Sequence, residues 1–161
     1  SSDSTVPPRQ LAIPMSALPP LPEYAPEKNI RPDISDKVKY GQYMVTIASC
    51  GDCHTPRKQD GSPDFAQAFS GGFVFDAGAF KVTVANITPD STGIGSWTED
   101  AFVAKFRSNS SAETMSKDPG RQNSVMPWAM YGKMKEEDLK AIYAYLRTVP
   151  PVSKKLEKWP K

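Results

Sequence analysis

The sequence predicts a mostly helical single domain with a small β-hairpin, preceded by an irregular proline-rich extension. Three observations predict it. Apolar residues recur at helical spacing in three segments, beginning after Pro32, near Thr98 and near Glu136. Alternation of period two is confined to one stretch after Gly71. Eight of the 16 prolines fall within the first 32 residues, which forbids regular helix there. A length of 161 residues with 39% apolar and 10% aromatic residues suffices for one modest core.

Taken in order, the extension over residues 1–32 carries Pro7, Pro8, Pro14, Pro19, Pro20, Pro22, Pro26 and Pro32 and favours extended, polyproline-like chain. Leu11, Ile13, Leu18, Leu21 and Tyr24 would let it pack as a strap instead of hanging as a linker. A first helix follows, with Ser35 as cap and Asp36 in its first turn. Its apolar rows, Val38, Gly41, Val45 and Ala48, then Tyr40, Met44 and Ile47, predict a largely buried helix running straight into Cys50.

In "GGFVFDAGAFKVTVANI", Phe73 and Phe75 alternate, then Val82 and Val84, about a turn at Asp76 to Gly78, which reads as a hairpin. A Ser96-x-x-Glu99 capping box with Phe102, Val103 and Phe106 predicts a helix from about Thr98 to Arg107. Ser108 to Ser124 is polar, contains Pro119 and Gly120, and reads as loop. The last helix opens on Glu136, Glu137 and Asp138, buries Leu139, Ile142, Tyr143 and Leu146, and is stopped by Pro150, with Met134 and Leu139 as a hydrophobic staple. The domain thus covers residues 33–152. Residues 153–161 form a basic tail (Lys154, Lys155, Lys158, Lys161), ordinarily a solvated end and alternatively a docking patch.

A net charge of +2 is far from what phosphate neutralisation requires, so nucleic acid is excluded as a partner. No run approaches the roughly 18 apolar residues of a membrane-spanning helix. The start at Ser1, without an initiator Met or a secretory apolar segment, reads as a mature or trimmed chain.

The chemistry is concentrated in "CGDCH". The chain has two Cys and one His, and Cys50, Cys53 and His54 bring all three together. Thioredoxin-like exchange needs the pair at a helix start after a strand, whereas this pair follows a helix. Structural zinc needs four ligands and finds three crowded donors. A disulfide would close a tiny loop and leave His54 unexplained. Covalent attachment of a c-type haem accounts for all three residues: Cys50 and Cys53 become thioethers and His54 takes the proximal axial position.

Three stretches, "GQYMVTIASCGDCHTPR", "ANITPDSTGIGSWTEDAFVAKFR" and "NSVMPWAMYGKMKEEDLKAIYAYLRTVPPV", cover roughly Asp33 to Val152 in order. Together they resemble a class I c-type cytochrome domain, similar to the single-haem modules in cytochrome c subunits of bacterial alcohol and sugar-acid dehydrogenases. Those subunits typically carry three haem motifs, whereas this sequence carries one. The resemblance implies an all-α fold of about three to five helices around one haem, with the hairpin as an insertion and the first and last helices crossing at Gly41, against Leu146 or Tyr145. It also implies a monohaem electron carrier, not an enzyme itself, working outside the cytoplasmic membrane in a periplasmic respiratory or dehydrogenase chain. A periplasmic dehydrogenase would donate electrons and an oxidase or another cytochrome would accept them, with a membrane anchor lying upstream if there is one.

The sixth iron ligand is not a second His, so the candidates are Met15, Met44, Met115, Met126, Met130 and Met134, with lysine a distant alternative. Met44 reads as core and Met134 as staple. Met126 lies in loop before Pro127, and the resemblance carries the iron-binding role to this "MP" position; Met130, Met115 and an open site remain alternatives. Trp97, Asn86 and Arg57 have the donors to hold haem propionates, against core packing, loop bonding and solvent exposure as their plain readings. Trp128 and Tyr131 flank Met126 and would wall the pocket. The competing function is a haem sensor or peroxidase-like protein with an open sixth position, which would need Met126 displaced and a distal polar group.

Overall fold

The computed structural model describes residues 30–117, 119–120 and 124–160, the side chains of residues 115 and 116 excepted. Most of the proline-rich extension, Met15 included, lies outside the described residues. Six α-helices and one two-stranded sheet appear among them: α1 (Lys37–Ile47), α2 (Cys50–His54), β1 (Val74–Asp76), β2 (Lys81–Thr83), α3 (Glu99–Asn109), α4 (Ala112–Ser116), α5 (Trp128–Tyr131) and α6 (Glu136–Leu146).

The core forms where α1 crosses α6. Gly41 makes the crossing possible, because a Cβ there would overlap the Ala141 carbonyl and press on Tyr145 Cβ. Of the two expected partners, Tyr145 makes the contact, together with the Ala141 carbonyl. Tyr40, Met44 and Val45 of α1 pack with Ile94, Phe102, Ala141, Ile142 and Leu146, and Leu139 and Leu146 are wholly buried. Burial of each such leucine contributes about 1.5–3 kcal/mol. The Tyr40 hydroxyl donates to Asp138 Oδ1 at 2.7 Å, so the crossing also carries a charge-assisted hydrogen bond.

α1 is less buried than its two apolar rows predict. Only the stripe at Tyr40, Gly41, Met44 and Val45 is covered, while Val38 and Ile47 face outward. One partner helix covers about a third of a helix circumference, so the flanking rows are left over. Nor does α1 run into Cys50. It is capped by Asp36, whose carboxylate accepts from Lys39 N, and it stops before Ser49, whose left-handed backbone (φ 52°) starts α2 on a new axis.

The hairpin forms at the expected place, with Phe75 opposite Val82 and the Gly78 amide donating to Asp76 Oδ1 in the turn. α3 also forms as expected, but its cap is Thr98, whose hydroxyl accepts from Ala101 N, not the Ser96 box. Ser108 to Ser124 is not all loop. Ser111 accepts from Thr114 N and Glu113 pairs with Lys117 one turn on, which suffices to form α4. α5 and α6 are separate helices, and Met134 packs against the core as expected of a staple residue.

Candidate functional site

α2 is one turn and a half, so Cys50, Cys53 and His54, at spacings of three and four residues, share one of its faces. Both cysteines are free. Burial pushes the Cys50 thiol up to about 11, so it is protonated at neutral pH and unsuited to serve as an exchange nucleophile. Among the described residues no three His, Cys, Asp or Glu side chains converge as a metal donor set.

His54 is positioned from two directions. Its carbonyl accepts from Gly71 N at 2.7 Å, and its Nδ1 lies 2.8 Å from the Ala85 carbonyl oxygen. A carbonyl only accepts, so Nδ1 carries the proton and Nε2 keeps its lone pair as a potential iron ligand. Burial holds the His54 pKa below its ordinary value, which also keeps the ring neutral. Gly71 must be glycine: its φ is +66°, and a Cβ would overlap the Val84 and Ala85 carbonyls. Thr55, buried behind the motif, accepts from Phe69 N and fixes where the chain leaves α2.

Met126 precedes α5 in an extended turn: its N–H donates to Ser124 Oγ and its carbonyl accepts from Trp128 N. Two attachments hold the α5 segment. Arg107 of α3 donates to the carbonyls of Gly132 and Met134, and the Tyr131 hydroxyl donates to the Ala48 carbonyl at 2.7 Å, two residues before Cys50. Burial, and then the neighbouring Cys50 and Cys53, push the Tyr131 pKa up. Met126 is half-buried and Met130 is 71% exposed. Met44 belongs to the core, as its helical position implied.

The remaining sequence-derived site residues divide. Trp97 packs edge-on against Phe102, and no described residue accepts from its indole N–H; with Lys105 it lines an open recess of about 460 Å³ on α3. Trp128 packs against Phe106 beside Lys105. Arg57 is exposed and donates to the Gly61 carbonyl within its own loop. Asn86 is 5% exposed and both its amide hydrogens are donated inside the protein, to Thr92 Oγ1 and the Val152 carbonyl. For Asn86 the geometry matches loop bonding, since both amide hydrogens are donated inside the protein; Arg57 matches its solvent-exposed reading, with one of its five N–H donors on Gly61. A further cleft of about 340 Å³ lies behind α2, lined by Gly51, Thr55, Phe69 and Tyr145 among others, and neither thiol nor His54 faces it.

The donor set fits a covalently held haem: two free thiols and an imidazole on one helical face, the imidazole with its Nδ1 proton committed, and a thioether on a tethered turn. Sequence reasoning missed Ala85 and Gly71, because a backbone acceptor leaves no side-chain signature; the Gly71–Gly72 pair was the one available signal. It also missed that residues 152–158 are bonded to the site's framework and are not a solvated end.

Comparison with known proteins adds lineage to geometry. A family model described as Cytochrome c matches residues 38–150. The fructose dehydrogenase cytochrome subunit of Gluconobacter japonicus is 33% identical over 132 residues, 81% of this chain and 24% of that protein. The gluconate 2-dehydrogenase cytochrome c subunit of Pantoea cypripedii is 31% identical over 118 residues, 72% of this chain and 24% of that protein. A diheme cytochrome c-type protein of Cereibacter sphaeroides is 29% identical over 126 residues, 74% of this chain and 38% of that protein. The chain thus spans about a quarter of the length of these fructose and gluconate dehydrogenase subunits.

Proposed function

The chain belongs to the cytochrome c family, and on that premise we propose that it carries single electrons through one haem joined to Cys50 and Cys53, with His54 and Met126 as axial ligands. A cytochrome c domain is an electron-transfer module, not itself catalytic, and the family implies a covalently bound haem c. When bound, that haem supplies the one-electron couple between ferric and ferrous iron. One Cys-x-x-Cys-His motif in the sequence supports one haem.

The observation that carries the reading is the bond of His54 Nδ1 to the Ala85 carbonyl, on the helical face that also bears both thiols. Cys50 and Cys53 would hold the haem to α2 through thioether bonds. Ala85 holds the imidazole so that Nε2 faces away from the protein acceptor, and electron density pushed through Nδ1–H stabilises ferric iron. The Met126 thioether favours ferrous iron and raises the potential. Trp97 would offer its indole N–H to a propionate, and Trp128, packed on Phe106, would help wall the haem pocket. None of these residues takes up or releases a proton in the transfer.

The relatives are named as cytochrome subunits of dehydrogenases. The partner we propose is therefore a dehydrogenase donating electrons outside the cytoplasmic membrane, with an oxidase or a second cytochrome as acceptor. No helix among the described residues is long and apolar enough to cross a membrane.

Near-infrared spectroscopy of the ferric holoprotein tests the ligand set. The Met-to-iron charge-transfer band should be present, carbon monoxide should bind the reduced protein slowly, and Met126→Ala, not Met130→Ala, should abolish the band. A missing band with rapid carbon monoxide binding in the unmutated protein would instead establish an open iron and a sensor or peroxidase-like role.

A further inference from the structure

We propose that Asn86 is a positioning residue for the proximal imidazole and that residues 152–158 are the strap that holds it in place, so that attachment of this strap sets the haem's reduction potential; the assignment rests on His54 being the proximal ligand. The orientation of His54 depends on the carbonyl of Ala85. Ala85 has no side chain that could fix it, so its position is inherited from its neighbours.

On one side stands Asn86, buried, with all four hydrogen-bonding positions of its amide filled. Oδ1 accepts from Thr88 N at 2.9 Å and Thr88 Oγ1 at 2.8 Å, while Nδ2 donates to the Val152 carbonyl at 2.8 Å and Thr92 Oγ1 at 3.1 Å. On the other side, Thr83 of β2 donates its N–H to the Lys158 carbonyl at 2.9 Å. Ala85 therefore sits between two anchors, and both are bonded to the same C-terminal segment.

The segment is fastened along its length. Val152 N donates to Thr88 Oγ1 at 3.2 Å and Lys154 N donates to Thr92 Oγ1 at 2.9 Å. The Lys154 ammonium reaches the Gly71 carbonyl at 3.0 Å, and the Gly71 N–H is the donor to the His54 carbonyl. The strap thus reaches His54 indirectly on two sides, through the neighbours of its side-chain acceptor Ala85 and through its backbone partner Gly71. A buried asparagine that sends one donor 66 residues along the chain, to the Val152 carbonyl, is poorly explained by local turn formation alone, since Thr88 already satisfies the turn. The consequence is electronic: a well-aligned Nδ1–H···O=C bond makes the imidazole a stronger donor to iron, and loosening Ala85 weakens it.

The test compares the full-length holoprotein with Asn86→Asp, which keeps the Thr88 contacts and loses the Nδ2 donors, with Thr92→Val, and with Thr92→Ser. Reduction potential and the hyperfine-shifted imidazole resonances of the ferric protein are measured in each. Asn86→Asp and Thr92→Val should raise the potential, shifting the ferric-to-ferrous ratio at fixed potential by about threefold to tenfold, where tenfold is 59 mV for a one-electron couple. The His54 ring resonances should move with it, and Thr92→Ser should restore both. Should Asn86→Asp not fold, the Thr92 pair carries the comparison. Lower melting temperatures with potential and imidazole resonances unmoved would overturn the proposal, leaving Asn86 a structural clasp. A wild-type protein without axial-imidazole resonances would refute the ligand assignment beneath it, an outcome visible before any variant is made.

Discussion

The Tyr131 hydroxyl donates to the Ala48 carbonyl across 83 residues of sequence, at 2.7 Å. This single bond joins the segment bearing Met126 to the turn that starts the thiol-bearing helix. It bridges the two halves of the proposed ligand set without touching either ligand.

Tyr131→Phe should therefore loosen the Met126 side before the rest of the fold. Losing a neutral hydrogen bond of this kind costs about 1 kcal/mol. On heating, the Met-to-iron band should disappear at a lower temperature in the variant, while far-ultraviolet circular dichroism shifts by less. Coincident shifts in both signals would mean that the tyrosine serves the whole fold and not this segment.

Gly41→Ala should destabilise the domain outright. The new methyl group would overlap the Ala141 carbonyl, which belongs to helix backbone and cannot swing aside. The overpacking cost is about 1–3 kcal/mol or more, readable as a lower denaturant midpoint. An unchanged midpoint would show that the two helices slide apart freely.

Tyr40→Phe makes a prediction about pH. Burial and the Asp138 carboxylate raise the Tyr40 pKa above its ordinary value near 10. A group whose folded pKa is raised stabilises the fold below its unfolded pKa and loses that contribution as pH climbs through the folded one. The variant should be less stable than wild type by about 1.5–3 kcal/mol near neutrality, the worth of a bond to a charged acceptor. That gap should narrow above pH about 10. Paired unfolding curves at neutral and alkaline pH check it, and a constant gap would remove the hydrogen bond from the account.

The two thiols should act independently in holding pigment. Cys50→Ala and Cys53→Ala should each retain colour after acid-acetone extraction through the remaining thioether, with altered pyridine haemochrome spectra, and the double variant should release its pigment. Release from either single variant would show that only one cysteine is joined to the haem.

What could be read from the sequence followed from side-chain chemistry confined to short stretches. The "CGDCH" cluster pointed to its cofactor and the period-3.6 patterns located α1, α3 and α6, while the close helix crossing at Gly41 came from the family resemblance. What stayed hidden depended on backbone geometry or distant pairing. Nothing in Ser49 marks it as left-handed, so α1 and α2 read as one helix. α4 and α5 are too short to show a period. Lys154 and Lys158 looked like solvent-facing charges because their contacts are made largely by backbone atoms and reach back to residues 71–92.

The most direct test of the central claim is the intact mass of the purified holoprotein under denaturing conditions. The account predicts the 17.7 kDa polypeptide increased by one haem, falling to the bare polypeptide in the variant lacking both cysteines. A wild-type mass equal to the bare polypeptide, with the pigment recovered separately, would contradict it.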